Sequence, residues 1–202
     1  MTTFGLIPAA GKSRRMGRAK LLLPLGEHTV LECVLSAVRS GGVTEIVVVV
    51  APKTPELARV AASAGAHVVQ LAEDTPDMRA SLMHGLAWIE AHFHPSAEDG
   101  WLLLPADHPT VRSEVVQAIL AAVGGRDTIV VPTHHGRRGH PTWLSWSHVA
   151  ALSALPAAQG LNAFIRAHAD QTRELVWPDA EILRDLDTPE DYQALMALAK
   201  AP

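Results

Sequence analysis

The sequence predicts an α/β fold: a single domain of three layers, α/β/α, around a mostly parallel sheet. Three observations carry this. Short runs rich in β-branched residues alternate with amphipathic stretches about four times along the first two thirds of the chain. The run Ile46–Val50 is apolar throughout, as expected of a strand buried on both faces, and Trp101–Pro105 reads the same way. With 202 residues, 48% hydrophobic and 19% charged, the chain suffices for one core and leaves little for a second.

Phe4–Pro8, bounded by Gly5 and Pro8, reads as the first strand. Thr29–Ser40 places Val30, Leu31, Val34, Leu35 and Val38 at helical spacing, and Gly41-Gly42 ends that helix. Ile46–Val50 is the next strand, Pro55–Ala64 a helix, His67–Leu71 a strand and Arg79–His92 a helix. Trp101–Pro105 is a strand, Arg112–Val123 a helix and Thr128–Pro132 a strand. Beyond His134 the pattern loosens. Helices are expected over Ser145–Leu155 and Gly160–Ala169, a last strand over Arg173–Trp177 and a closing helix over Pro189–Ala199. In a sheet of this Rossmann-like kind, ligands bind beyond the carboxyl ends of the strands near a topological switch point.

Composition narrows the partners. A formal net charge of −4 with mixed signs leaves no basic footprint for nucleic acid, and 4% aromatic residues offer no stacking platform for single strands. No apolar run approaches the length that crosses a bilayer. The start Met1-Thr2-Thr3-Phe4 has no basic region or cleavage site, and Cys33 has no partner for an internal disulfide, so a cytoplasmic enzyme is expected. The 11 histidines raise the question of zinc, but there is neither a Cys pair nor H-E-x-x-H. His92 and His94 lack a third ligand, and surface or capping roles are expected for most of the eleven, His140 excepted.

The first strand runs into Ala9-Ala10-Gly11-Lys12-Ser13-Arg14-Arg15-Met16-Gly17-Arg18-Ala19-Lys20. Small residues let the backbone approach a ligand, and five cations in nine residues call for a multiply charged anion such as a triphosphate. It is not a P-loop, because the Gly required at position 6 is Leu6, and the dinucleotide pattern G-x-G-x-x-G fails as well. Asp107, in Pro105-Ala106-Asp107-His108-Pro109, lies at a strand's carboxyl end, where a metal-binding carboxylate belongs. Asp185 and Asp187, in Arg184-Asp185-Leu186-Asp187-Thr188-Pro189-Glu190, read either as ligands or as parts of a helix start.

The stretch Ala9–Lys20, continued by Leu21-Leu22-Leu23-Pro24-Leu25-Gly26, resembles the signature of the MobA-like nucleotidyltransferases, nearest to the molybdenum cofactor cytidylyltransferases. The resemblance implies the nucleotide-diphospho-sugar transferase type of fold. It divides the domain into a nucleotide-binding part, 1–132, and an acceptor-binding and closing part, 133–202. It implies Mg²⁺ or Mn²⁺ on Asp107 and on Asp187, with Asp185 as the alternative. His108 stands where the family has Gln or Met and reads as a tolerated replacement. Pro8, Ala9, Ala10, Gly11, Lys12, Ser13, Arg14, Met16, Gly17 and Ser81 are expected to bind the nucleotide. Ala10 favours a pyrimidine, hence CTP, and Pro8 departs from the usual Ala. Asp77-Met78-Arg79-Ala80-Ser81-Leu82 is similar to the family's G-M-x-x-S-L, with Asp77 as a helix cap and Met78 and Leu82 as core residues. Gly136-Arg137-Arg138-Gly139-His140-Pro141 resembles the acceptor loop, so Arg137, Arg138, Gly139 and His140 are acceptor candidates. At Asn162 and Ala163 the expected Ala and Arg of the cofactor transferases are replaced.

These parts suit attack on the α-phosphorus of a nucleoside triphosphate, with Arg15, Lys20 and Asp107 as the catalytic candidates. The expected acceptor is a phosphorylated small molecule, molybdopterin first; a sugar phosphate or similar metabolite and a guanylyl donor are the alternatives. Transient contact with molybdoenzyme-maturation proteins follows from the same resemblance. A silent nucleotide-binding protein is the reading from another class, opposed by the joint presence of Arg15, Lys20, Asp107 and Asp187.

Overall fold

The computed structural model describes residues 1–11, 16–156 and 159–198. β1 (Thr3–Ala9) leads to a 3₁₀ turn at Lys20–Leu22 and a small hairpin, β2 (Pro24–Leu25) and β3 (His28–Thr29). The alternation follows: α1 (Val30–Ser40), β4 (Glu45–Val50), α2 (Pro55–Ser63), β5 (His67–Gln70), α3 (Met78–Phe93), β6 (Gly100–Leu103), α4 (Ser113–Ala121) and β7 (Ile129–His134). The rest is β8 (Arg137–Arg138), β9 (Thr142–Ser145), α5 (Val149–Ser153), α6 (Leu161–Ala167), β10 (Thr172–Val176) and α7 (Pro189–Leu198). No helix among the described residues is long and apolar enough to cross a membrane.

The main sheet runs β10-β7-β9-β6-β1-β4-β5, with β8 paired to β7. β4 and β6 both pair with β1 in parallel, Phe4 lying opposite Glu45 on one side and Trp101 on the other. The chain therefore winds outward through β4 and β5, then crosses back to β6 on the far side of β1. That reversal puts the switch point between β1 and β6, with the loops after Ala9 and after Leu103 at its mouth.

Alternate residues of the central strands feed two cores. Ile7, Val48, Val50 and Leu102 pack with Leu31, Val34 and Leu35 of α1 and with Val115 and Ile119 of α4. Leu6, Val47, Val49 and Trp101 pack with Leu82, Leu86 and Ile89 of α3 and with Phe164 of α6. The side-chain period of two in a strand thus gives every central strand a job on both faces. α1 is opened by a reciprocal cap: the Glu32 amide donates to Thr29 Oγ1 and the Thr29 amide donates to Glu32 Oε2 at 2.7 Å.

One expectation needs correction. The helix read over Ser145–Leu155 starts later, and the antiparallel strand β9 precedes it, wedged between β6 and β7. The Ser145 amide donates to the Thr128 carbonyl and the Trp146 amide to the Asp99 carbonyl, so this stretch is tied to neighbouring segments before the helix begins. With four residues, all buried, β9 shows no periodicity to read.

Gly100 is placed by β9. A Cβ there would run into the Trp143 indole and lie 2.9 Å from the Leu144 carbonyl oxygen. Gly100→Ala is expected to cost about 1–3 kcal/mol through overpacking, read as a lower urea midpoint at unchanged slope.

Candidate active site

The β6 strand hands its chain to the switch point in a defined turn. The Leu104 amide donates to the Leu6 carbonyl and the Ala106 amide to the Pro8 carbonyl, keeping the segment beside β1. The His108 amide then closes a turn on the Pro105 carbonyl at 3.2 Å. Asp107 and His108 leave this turn side by side, and His108 Nδ1 lies 3.0 Å from Asp107 Oδ1. A carboxylate only accepts, so the imidazole donates.

The carboxyl-terminal segment is stitched onto this turn by backbone groups. The Leu186 amide donates to the Asp107 carbonyl at 2.8 Å, Thr110 Oγ1 to the Glu181 carbonyl at 2.9 Å, and the His140 amide to the Ile182 carbonyl at 2.9 Å. Arg112 Nε binds Glu181 Oε2 at 2.7 Å, and Trp177 Nε1 donates to Glu181 Oε1. α7 is capped by Thr188 and Asp191, each side chain taking the other's amide. The cap therefore does not use the Asp187 carboxylate. Asp185 is exposed, whereas Asp187 lines the same cavity as Asp107.

Lys20 joins the two carboxylates. Its Nζ is 2.8 Å from Asp107 Oδ2 and 2.9 Å from Asp187 Oδ1, and the residue is only 8% exposed. Burial by itself disfavours the ammonium, but the hydrogen bonds and charges of Asp107 and Asp187 outweigh it and push Lys20 above the ordinary lysine range. Burial likewise works to raise the Asp107 pKa; the hydrogen bond from His108 and the Lys20 ammonium win and hold it well below the usual carboxylate range. His140 packs edge to face on His108, ring centroids 4.8 Å apart. Burial pushes its imidazole down to about 3, so the ring is neutral at physiological pH. Among the described residues its Nδ1 has no hydrogen-bond partner.

These groups floor a cavity of about 740 Å³ at the switch point. Pro8, Ala9, Ala10 and Gly11 line one wall, Ser81 another, and Lys20, Asp107, His140 and Asp187 the base. Lys12, Ser13, Arg14 and Arg15 lie outside the described residues. Met16 is buried in the core, so its side chain anchors the loop instead of facing the cavity. Gly17, in a left-handed conformation with φ 63°, lines a second cavity of about 720 Å³ beside Ala9 and Gly11.

The acceptor candidates separate. His140 reaches the cavity; Arg137 and Arg138 are exposed on β8, with Arg138 paired to Glu174 at 2.8 Å. Gly139 has a packing reason: a Cβ would meet the Ile182 backbone, which runs against it. Neither Asn162 nor Ala163 on α6 lines the cavity. Asp77 does cap α3, its Oδ1 accepting from the Ala80 amide at 2.8 Å. Leu82 is core, but Met78 is not: it is 51% exposed on the cavity wall, because the first turn of α3 overhangs the sheet. Thr75 and Pro76 also line the cavity, and Thr75 Oγ1 shares a 2.7 Å hydrogen bond with Ser81 Oγ. No spacing in the sequence marked them; only the fold of the β5–α3 loop brings them there. His94 forms the left-handed end of α3, a cap as expected for such histidines.

The floor can hold a cation against two carboxylates, and Lys20 shows that the point between them attracts one. Hard oxygens suit Mg²⁺ or Mn²⁺. Among the described residues no cluster of three or more His, Cys, Asp or Glu could hold a metal, so phosphates or water would complete the shell around Asp107 and Asp187. Lys20→Met leaves two carboxylates facing each other and is expected to cost about 3 kcal/mol at pH 7. Because the Asp107 pKa is depressed in the fold, its share of stability is present above the unfolded value of 3.8 and fades as pH falls below it. The gap between the wild-type and Lys20→Met urea midpoints should therefore narrow progressively below pH 3.8 and close only where Asp107 protonates in the fold, far below that value.

Comparison with known proteins adds descent to geometry. A model of the MobA-like NTP transferase domain matches residues 5–172. The chain is 25% identical over 188 residues to the molybdenum cofactor cytidylyltransferase of Escherichia coli K12, spanning 93% of this chain and 92% of that one. It is 32% identical over 203 residues to the phosphoenolpyruvate guanylyltransferase of Thermomonospora curvata, spanning 96% and 82%. The crystal structure of Rv0371c from Mycobacterium tuberculosis H37Rv superposes with a TM-score of 0.82 at 30% identity, covering 98% of this chain and 99% of that one. A structure of the same protein in complex with manganese gives 0.77 at 26% identity, covering 98% of both. The matched span, the sheet order and the floor of the cavity make this chain a nucleotidyltransferase of the MobA-like NTP transferase family.

Proposed function

We propose that this protein transfers the nucleoside monophosphate of a triphosphate, CTP favoured, to a phosphorylated acceptor, with molybdopterin or molybdenum cofactor the leading choice. The observation that carries the reading is the Lys20–Asp107–Asp187 cluster at the base of a cavity walled by Pro8–Gly11. An acceptor phosphate oxygen, anionic at neutral pH, attacks the α-phosphorus; the bond to the β-phosphate oxygen breaks, and its electron pair leaves with pyrophosphate. No general base is needed, so positioning and charge neutralisation carry the rate. Lys20 supplies a buried positive charge at the base of the cavity, and Arg15 is the signature-loop cation assigned by the resemblance to neutralise the leaving pyrophosphate. Asp107 and Asp187 would hold Mg²⁺ or Mn²⁺, which when bound neutralises phosphate charge. The manganese in the Rv0371c complex supports a divalent cation here. Ala10 narrows the base pocket toward a pyrimidine.

A second reading keeps the reaction and replaces the acceptor with another small phosphorylated metabolite, and the donor with GTP. It is favoured by the name of the 32% identical relative, by Ala163 where the cofactor transferases carry Arg, and by Arg137 and Arg138 lying away from the cavity.

Pyrophosphate release measured with CTP, GTP, UTP and ATP, each with a molybdopterin-type acceptor or a phosphorylated metabolite such as phosphoenolpyruvate, separates the readings. Release from CTP with molybdopterin alone is the expected result. Release from GTP with the metabolite moves the assignment to the second reading, and the absence of release with any acceptor would sink both. Asp107→Ala is expected to lower the rate at least about 100-fold with an unchanged circular dichroism spectrum; a variant that keeps close to the wild-type rate at normal Mg²⁺ overturns the metal assignment.

A further inference from the structure

His108 stands beside a carboxylate proposed to hold the metal, and the motif reading treats it as interchangeable with Gln or Met. Its surroundings give it a task. The turn closed on Pro105 forces the side chains of residues 107 and 108 together. The His108 side chain is only 11% exposed, so its Nδ1 needs a partner, and the partner is Asp107 Oδ1 at 3.0 Å. Half-buried His140 packs edge to face against the ring. Asp107 Oδ2 is turned to Lys20, so the two oxygens of this carboxylate have separate jobs.

We propose that His108 is a positioning residue: its Nδ1–H pins Asp107 Oδ1 and leaves Oδ2 as the one oxygen presented to a divalent cation. Mg²⁺ and Mn²⁺ demand fixed ligand directions, and a carboxylate free to rotate would swing both oxygens onto the Lys20 ammonium. Hydrogen-bond partners behind metal ligands are worth roughly ten- to a hundredfold in metal affinity. A residue with no N–H at position 108, such as Met, fills the space without pinning the oxygen, whereas Gln keeps a donor.

This rests on Asp107 being a metal ligand, and the test separates the two claims. Mn²⁺ binding to nucleotide-free protein is read from the electron paramagnetic resonance signal of free Mn²⁺, for wild type, His108→Gln, His108→Leu and Asp107→Asn. A thermal melt of each variant verifies folding. The expected pattern is affinity near wild type for His108→Gln, a loss of about ten- to a hundredfold for His108→Leu, and no site in Asp107→Asn. If His108→Leu binds as tightly as wild type while Asp107→Asn does not bind, the positioning role is overturned and the metal reading stands. If His108→Gln is weakened as much as His108→Leu, ring packing and not the hydrogen bond matters, and the proposal is again overturned. If Asp107→Asn and wild type do not differ, the metal reading fails, and this inference with it.

Discussion

The ammonium of Lys20 between the carboxylates of Asp107 and Asp187 is the interaction around which the rest of the structure is arranged. It joins three segments far apart in the chain: the signature loop after β1, the turn after β6 and the approach to α7. Two carboxylates brought this close repel one another unless a cation lies between them. Holding them there takes the backbone bond from Leu186 to Asp107, the bonds from Thr110 and His140 to the Glu181–Ile182 backbone, and the Arg112–Glu181 ion pair. The scaffold fixes the geometry, and the lysine makes it electrostatically tolerable.

The same arrangement suits phosphoryl chemistry. A triphosphate brings its own negative charge, and the carboxylate pair offers a second place for a cation. Binding a nucleotide beside this cluster exchanges one set of ion pairs for another in a site already largely desolvated. Preorganised charge in such a site acts more strongly than in water and needs no reorganisation when the reaction occurs. The neutral His140 and the hydrogen-bonded His108 add polar packing at the floor, and His140 contributes no further charge at physiological pH.

Much of the fold could be read from patterns. α1, α3 and β4 follow from apolar spacing, and the parallel sheet from their alternation. Patterns failed where the information was too short or too remote. β9 is four buried residues with no visible period; the Ser145 amide at its end donates to Thr128 and the following Trp146 amide to Asp99, partners that no local window contains. Met78 has the look of a core residue at helical spacing, yet the start of α3 projects over the cavity and leaves it half exposed. Asp185 and Asp187 read alike from residue type alone, with only the family resemblance favouring Asp187; the fold separates them, because Asp187 lines the cavity and Asp185 is exposed.

The sequence by itself determined the layer architecture, the small, cation-rich composition of the loop after β1 and the short set of charged residues placed at strand ends. These are properties of periodicity, residue size and local charge, which a linear chain carries in full. The tertiary structure alone decided which carboxylate meets Asp107, that Lys20 bridges the pair, that His108 pins one oxygen of its neighbour, and that Arg137 and Arg138 lie outside the cavity. Apart from the contact between the neighbours Asp107 and His108, each of these depends on a distance between segments up to 167 positions apart in the chain, and such distances exist only after the sheet has set its strand order.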